Sequence, residues 1–291
     1  MSNYEARQVN QRIGQHRTWL DRNPSYFEKT RQKIDEALRD PTLYSLISLS
    51  VSVAYLGSFF GTRGLVLLHE ETDGWSDLSG AIEAYTWSVR LLVKAYYAWF
   101  PPERSSRRST LIHRLPLTVC LLAHFVSTGD ESRAREIWSL LQKPLNDSDP
   151  RINQWWRERH FELFFVRLYG SIHQVPLPGD ASRWNLGIYS SIMENWADEG
   201  KLEAAFVEAS NYHVRHMENT RDWDAEFDQP PFDLVPFELY AVNQLRILQG
   251  LPSCSPGHPL FHFIPPFLKA PEPAELSDVL SQVADKYGDF D

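Results

Sequence analysis

Only two cysteines, Cys120 and Cys254, occur in the 291 residues, and neither belongs to a Cys-x-x-Cys pair. That excludes a disulfide-scaffolded secreted domain and makes a reducing compartment the default. Basic charge is also in deficit, with 29 lysines and arginines against 38 carboxylates and a net charge of −9. A general nucleic-acid binder is excluded on that ground, because phosphate affinity comes largely from lysine and arginine displacing counterions. Glycine and proline, 14 and 19 residues, are scattered with no run longer than a Pro-Pro pair, so the chain is neither collagen-like nor low-complexity. Catalytic signatures are missing as well: there is no GxSxG, HExxH, Walker loop or GxGxxG. None of the ten histidines has a glutamate three residues upstream, so the ExxH pairs of di-iron bundles are absent too. The expectation is a protein without enzymatic activity, metal or cofactor.

What is present is an ordinary globular composition, 43% hydrophobic and 13% aromatic. The N-terminal twenty residues carry charges throughout and no apolar signal segment, which predicts a cytoplasmic protein. Residues 41–62 form a run of 22 without a charge. Five serines and two tyrosines dilute it, so it reads as a helix buried on all sides, its serines bonding back to carbonyls one turn earlier, and no membrane association is expected.

Helix punctuation is legible in Asn23-Pro24, Asp40-Pro41 and Asp149-Pro150, where an N-cap oxygen precedes a first-turn proline. The clearest period is Leu78, Ile82, Tyr85, Val89, Leu92, Tyr96 and Trp99, one face of a helix, with Glu83, Arg90 and Lys94 off the stripe. Helices are predicted at 3–22, 24–39, 41–60, 76–99, 109–127, 130–142, 150–169, 182–198, 201–219, 233–249 and 273–287. No strand is expected. The fold class is all-α, an irregular array of antiparallel helical hairpins with about eleven helices and no significant sheet. Hairpins at 128–141 and 198–210 look tetratricopeptide-like, but no regular repeat follows. A single domain over 1–291 is expected, with any subdivision falling near 146–150.

His213 and His216 continue the apolar stripe of Leu202, Phe206 and Ala209. A zinc role would need further donors such as His258 or His262; a hydrogen-bonded, partly buried pair is the simpler reading. The charge distribution is more informative. Residues 218–238 hold Glu218, Asp222, Asp224, Glu226, Asp228, Asp233 and Glu238 against Arg221 alone, and the acidic C-terminal helix and tail at 271–291 hold six carboxylates against Lys286. The loop at 218–236 interleaves these acids with Trp223, Phe227 and Phe232, and Phe237 follows. Rings among charges on a long loop suggest a docking surface for a basic protein, which nominates Asp222, Trp223, Asp224, Glu226, Phe227, Asp228, Phe232 and Asp233. The alternative is that the rings pin the loop onto the helical body.

From Asn195 to Leu268, about a quarter of the chain, the order of features resembles the C-terminal part of the immunity protein 49 family of bacterial polymorphic toxin systems. The helix LEAAFVEASNYHVRHME carries Ala209, Tyr212 and His213. A polar loop follows, then VPFELYAVNQLRILQGLP, ending in Gly250-Leu251, and a short tail through Ile264 to Leu268. The long acidic loop and the acidic tail depart from that family. The resemblance implies an all-helical protein that binds and neutralises a cognate toxin encoded beside it. Many such toxins are nucleases with basic active faces, so a basic partner and stoichiometric occlusion would follow. A helical adaptor or scaffold binding a host protein or peptide is the alternative.

Overall fold

The computed structural model describes residues 3–40, 42–99, 111–147, 149, 152, 156, 159–179, 181–219, 225–262 and 272–288. Among them are eleven α-helices and no strand: α1 (Asn3–Arg22), α2 (Tyr26–Ala37), α3 (Leu43–His69), α4 (Trp75–Lys94), α5 (Leu115–Ser127), α6 (Glu131–Leu145), α7 (His160–His173), α8 (Ser190–Glu194), α9 (Glu199–Arg215), α10 (Phe237–Leu248) and α11 (Ala274–Tyr287). The chain is all-α. Its contacts form two compact units: the described residues of 1–9, 115–228 and 232–267, and those of 10–114, 229–231 and 268–291. The boundary between the helical segments therefore falls after Arg114, and 146–150 lies inside the first unit.

In the second unit α3 packs along α4, with α2 against α3 and α11 against α4. The predicted stripe of α4 is its buried face, Leu78, Ile82, Tyr85, Val89 and Leu92 all being buried. The helix then widens into a π turn at Ala95–Trp99, which carries the buried Tyr96. The uncharged segment becomes a longer helix than predicted, running to His69, because Leu65 and Val66 continue its buried face. It is long and apolar enough to cross a membrane, and 67% of its most apolar window is buried.

Of its serines Ser45 bonds back, donating to the Thr42 carbonyl at 3.0 Å, whereas Ser50 does not. Ser50 donates across to the carbonyl of Ser88 on α4 (2.9 Å), and Ser45 completes a capping box with Thr42. A hydroxyl buried between two helices satisfies itself wherever the neighbouring backbone offers an acceptor, and here the neighbour is α4. Nor are Asn23 and Asp40 the caps: Asn23 donates to the carbonyl of Trp19, closing α1, while Ser25 precedes α2 and Thr42 caps α3; Pro150 of the third step lies outside the described residues.

The acidic C-terminal helix is docked. Leu276, Val279, Leu280 and Val283 of α11 are buried, Glu275 meets Arg63 at 2.9 Å, and Tyr287 lies against Trp99. Arg63 also forks onto the buried Asp77, one arm at 2.8 Å.

The first unit is organised around α5, buried along nearly its whole length and contacted by α6, α7 and α10. Asp130 and Asp198 cap α6 and α9 through the amides of Arg133 and Lys201, both at 3.2 Å. The helix predicted over 182–198 is interrupted. Gly187 adopts φ +54°, a left-handed conformation, with the His160 ring packed where a side chain would stand. Two 3₁₀ turns, Ala181–Arg183 and Gly187–Tyr189, and the short α8 result.

Two glycines make opposite predictions. Gly14 lies inside α1 with nothing within 4 Å of an added Cβ, whereas at Gly57 of α3 that atom would meet the Tyr85 ring at 2.7 Å. Gly14→Ala is expected to stabilise by roughly 0.5–1 kcal/mol through helix propensity. Gly57→Ala is expected to destabilise by about 1–3 kcal/mol through overpacking. Thermal and urea melts of the two variants check the contrast.

Candidate partner-binding site

The acidic aromatic loop is where the sequence nominated a partner surface, and its described part is core. Asp222, Trp223 and Asp224 lie outside the described residues. Phe227 and Phe232 are 1% and 2% exposed, Asp233 is fully buried, Glu226 and Glu238 are nearly so, and Asp228 is half-buried. Phe227 stacks on His213 with centroids 3.9 Å apart and packs on Phe161, while Phe232 meets Phe237 edge-on. Glu226, Phe227, Phe232 and Asp233 are thus not a free docking face. The rings pin the loop, and the buried Glu226 carboxylate finds donors that repay its desolvation.

Those donors are specific. Helix α7 starts after Arg159, which supplies no side-chain cap. Glu226 takes the vacant place: its carboxylate accepts the amides of His160 (3.3 Å) and Phe161 (3.1 Å) and the Tyr212 hydroxyl (2.9 Å). A carboxylate on orphan amides at a helix N-terminus is favoured by both hydrogen bonding and the helix dipole. Arg159 donates to the Ala225 carbonyl at 3.0 Å, and the amides of Glu226 and Phe227 both reach the His216 carbonyl.

His213 has Nδ1 2.7 Å from Glu238 and Nε2 3.2 Å from the Asp233 carbonyl. Both ring nitrogens face acceptors. His216 stacks on Tyr212 and is held neutral-leaning by burial, its pKa lowered. The buried, hydrogen-bonded reading of the two histidines holds. His258 bonds to Asn211, and among the described residues no group of three or more His, Cys, Asp and Glu side chains converges as a metal site.

One buried acid was missed by sequence reasoning. Glu162 of α7 is fully buried, and neither of its oxygens has a hydrogen-bond partner among the described residues. Burial, and then the neighbouring Glu226 carboxylate, push its pKa well above the ordinary carboxyl range. Burial likewise raises the Cys120 thiol and the Tyr189 phenol nearby. The signal in the sequence was slight: an acid in the otherwise apolar run Phe161 to Val166.

What stays open in this unit is a groove of about 250 Å³ between the C-terminal end of α5, helix α10 and the segment after it, with Tyr240, Ile247, Cys254 and Phe261 among its walls. Three of its polar side chains are used internally. Ser127 and Thr128 donate to carbonyls of their own helix, and Asn243 clamps Cys254 through both backbone groups, at 2.6 and 2.8 Å. The groove therefore presents mostly carbon surface. Ile247 and Leu248, at the end of α10, are 50% and 60% exposed. Comparison of the chain with protein-family models, with curated proteins and with solved structures finds no match.

Phe227→Ala is expected to cost about 3–5 kcal/mol of stability, read as a lowered urea midpoint; a loop that served only a partner would leave it unchanged. Glu162 titrates with the opposite sign to a salt-bridged acid. Its folded pKa lies above its unfolded one, so its stabilising share is complete at acid pH and is lost as pH rises toward the folded value. Glu162→Gln should therefore melt higher than the wild type at pH 8, with the gap closing toward pH 5, in paired melts at the two pH values.

Proposed function

We propose that this protein acts by binding alone, as an immunity protein that neutralises a basic cognate toxin by stoichiometric occlusion. The observation that carries this reading is the location of the charge. Nearly all of the net −9 falls in the first unit. With Glu226, Asp233 and Glu238 consumed inside it, the acids left at its surface include Glu194, Asp198, Glu199, Glu203 and Glu208, along α8 and α9. Exposed carboxylates of one sign steer a basic partner at a distance and speed its capture. The resemblance of residues 195–268 to the immunity protein 49 family supports the same reading, since α9, α10 and the turn between them supply both the acids and the helix that carries Ile247.

The test uses the reading frame next to this chain's gene. Expressed alone it should arrest growth. Co-expression of this chain should restore growth, and the two purified proteins should form a 1:1 complex whose association rate falls with salt. A neighbour that is toxic but neither bound nor relieved by this chain contradicts the proposal.

A further inference from the structure

We propose that the groove beside Ile247 receives a basic amphipathic helix of the partner, apolar side chains entering the groove and lysines or arginines lying over α9. This rests on the protein-binding reading above and assigns it a surface. Three observations converge on one end of the first unit. The first is the exposed apolar pair Ile247 and Leu248, whose neighbour Gln249 accepts a hydrogen bond from the Trp196 indole at 2.8 Å. That bond ties the end of α10 to the segment leading into α9.

The second is a one-sided stripe on α9. Glu199, Glu203 and Val207 recur every four residues, all exposed, and the next member, Asn211, bonds to His258 at 3.2 Å. The segment 254–258 thus runs from the groove to α9. Burial and then Glu203 and Glu199 raise the Cys254 thiol pKa, against the opposing charge of the buried Arg246, which places the two acids near the groove. Asp198 is paired with Lys201 at 3.2 Å. Among the described residues no cation pairs with Glu194, Glu199 or Glu203, so this rim keeps its negative charge.

The third is size. At about 250 Å³ the groove falls below the roughly 300–1,000 Å³ typical of small-molecule pockets, and the hydroxyls of Ser127 and Thr128 and the amide of Asn243 are already bonded to backbone. It suits side chains of another protein better than a polar metabolite. Occupation by a second copy of this chain is opposed by like charge, since the same acids would face each other.

The probe is a fluorescein-labelled peptide of roughly four helical turns, leucine on one face and lysine on the other, with a counterpart carrying glutamate for lysine. In anisotropy titrations of the full chain at low salt, the lysine peptide should bind and the glutamate peptide should not. Ile247→Asp, at an exposed position that the fold does not need, should weaken binding about tenfold or more. Glu199→Gln with Glu203→Gln should weaken it severalfold and flatten its salt dependence. Glu28→Gln with Glu36→Gln, exposed acids of α2, should leave it unchanged. Equal loss with the α2 pair, or equal binding of the two peptides, overturns the proposal.

The same variants are then titrated with the toxin. Toxin that binds wild type and Ile247→Asp equally well overturns the groove and leaves the immunity reading standing. Toxin that does not bind wild type overturns the immunity reading, and the peptide series then decides the groove alone. Dimers that form with concentration and dissolve in Ile247→Asp assign the groove to a second copy and overturn the proposal.

Discussion

The carboxylate of Glu226 at the start of α7 is the contact on which the first unit depends. A helix that begins without its own cap leaves amides that must find acceptors or be hydrated. Here the acceptor arrives from a segment more than sixty residues away and also receives the Tyr212 hydroxyl of α9. One side chain therefore ties together α7, α9 and the loop before α10. Phe227 can stack on His213 because Glu226 is held, and the His213–Glu238 pair then closes the loop onto α10.

That arrangement changes what the acidity of the chain means. Carboxylates that look like a solvated patch are divided by burial into two populations. Glu162, Glu226, Asp233 and Glu238 are inside, where each is bonded, paired or pushed toward its neutral form, while the acids along α8 and α9 remain in water. Only the second population generates a field that a partner feels. The groove beside α10 lies next to that population, and its exposed Ile247, with Leu248 beside it on the helix, supplies the apolar contact that charge alone does not.

Much of the fold was legible in the sequence because periodicity reports burial directly. The stripe from Leu78 to Tyr96 follows that logic; the end of α10 at Leu248 follows a different one, the left-handed Gly250 two residues on. Caps were less legible: a proline step shows that a turn occurs but not which nearby oxygen closes it, as with Thr42 beside Asp40-Pro41, and Ser25 precedes α2 with no side-chain cap bond at all. The loop was misread for a related reason. Charge count carries no information on which acids find buried donors, and the amides that hold Glu226 belong to a remote helix. The usable clue was His213, an inward-facing histidine on α9 that needs an acceptor, followed closely by a loop rich in acids. The groove was not legible at all, since it is made by Asn243 clamping Cys254 and by Tyr240 meeting Phe261, pairings set by tertiary packing.

The central claim is that the loop at 225–238 is core, latched by Glu226. Amide hydrogen exchange of the free protein tests it most directly, at the amides of His160, Phe161, Glu226 and Phe227. If the latch holds, these amides exchange only through global unfolding, as slowly as the centre of α5. Exchange there as fast as at exposed loop amides, with α5 still protected, would show the loop standing free of the body and would contradict the claim.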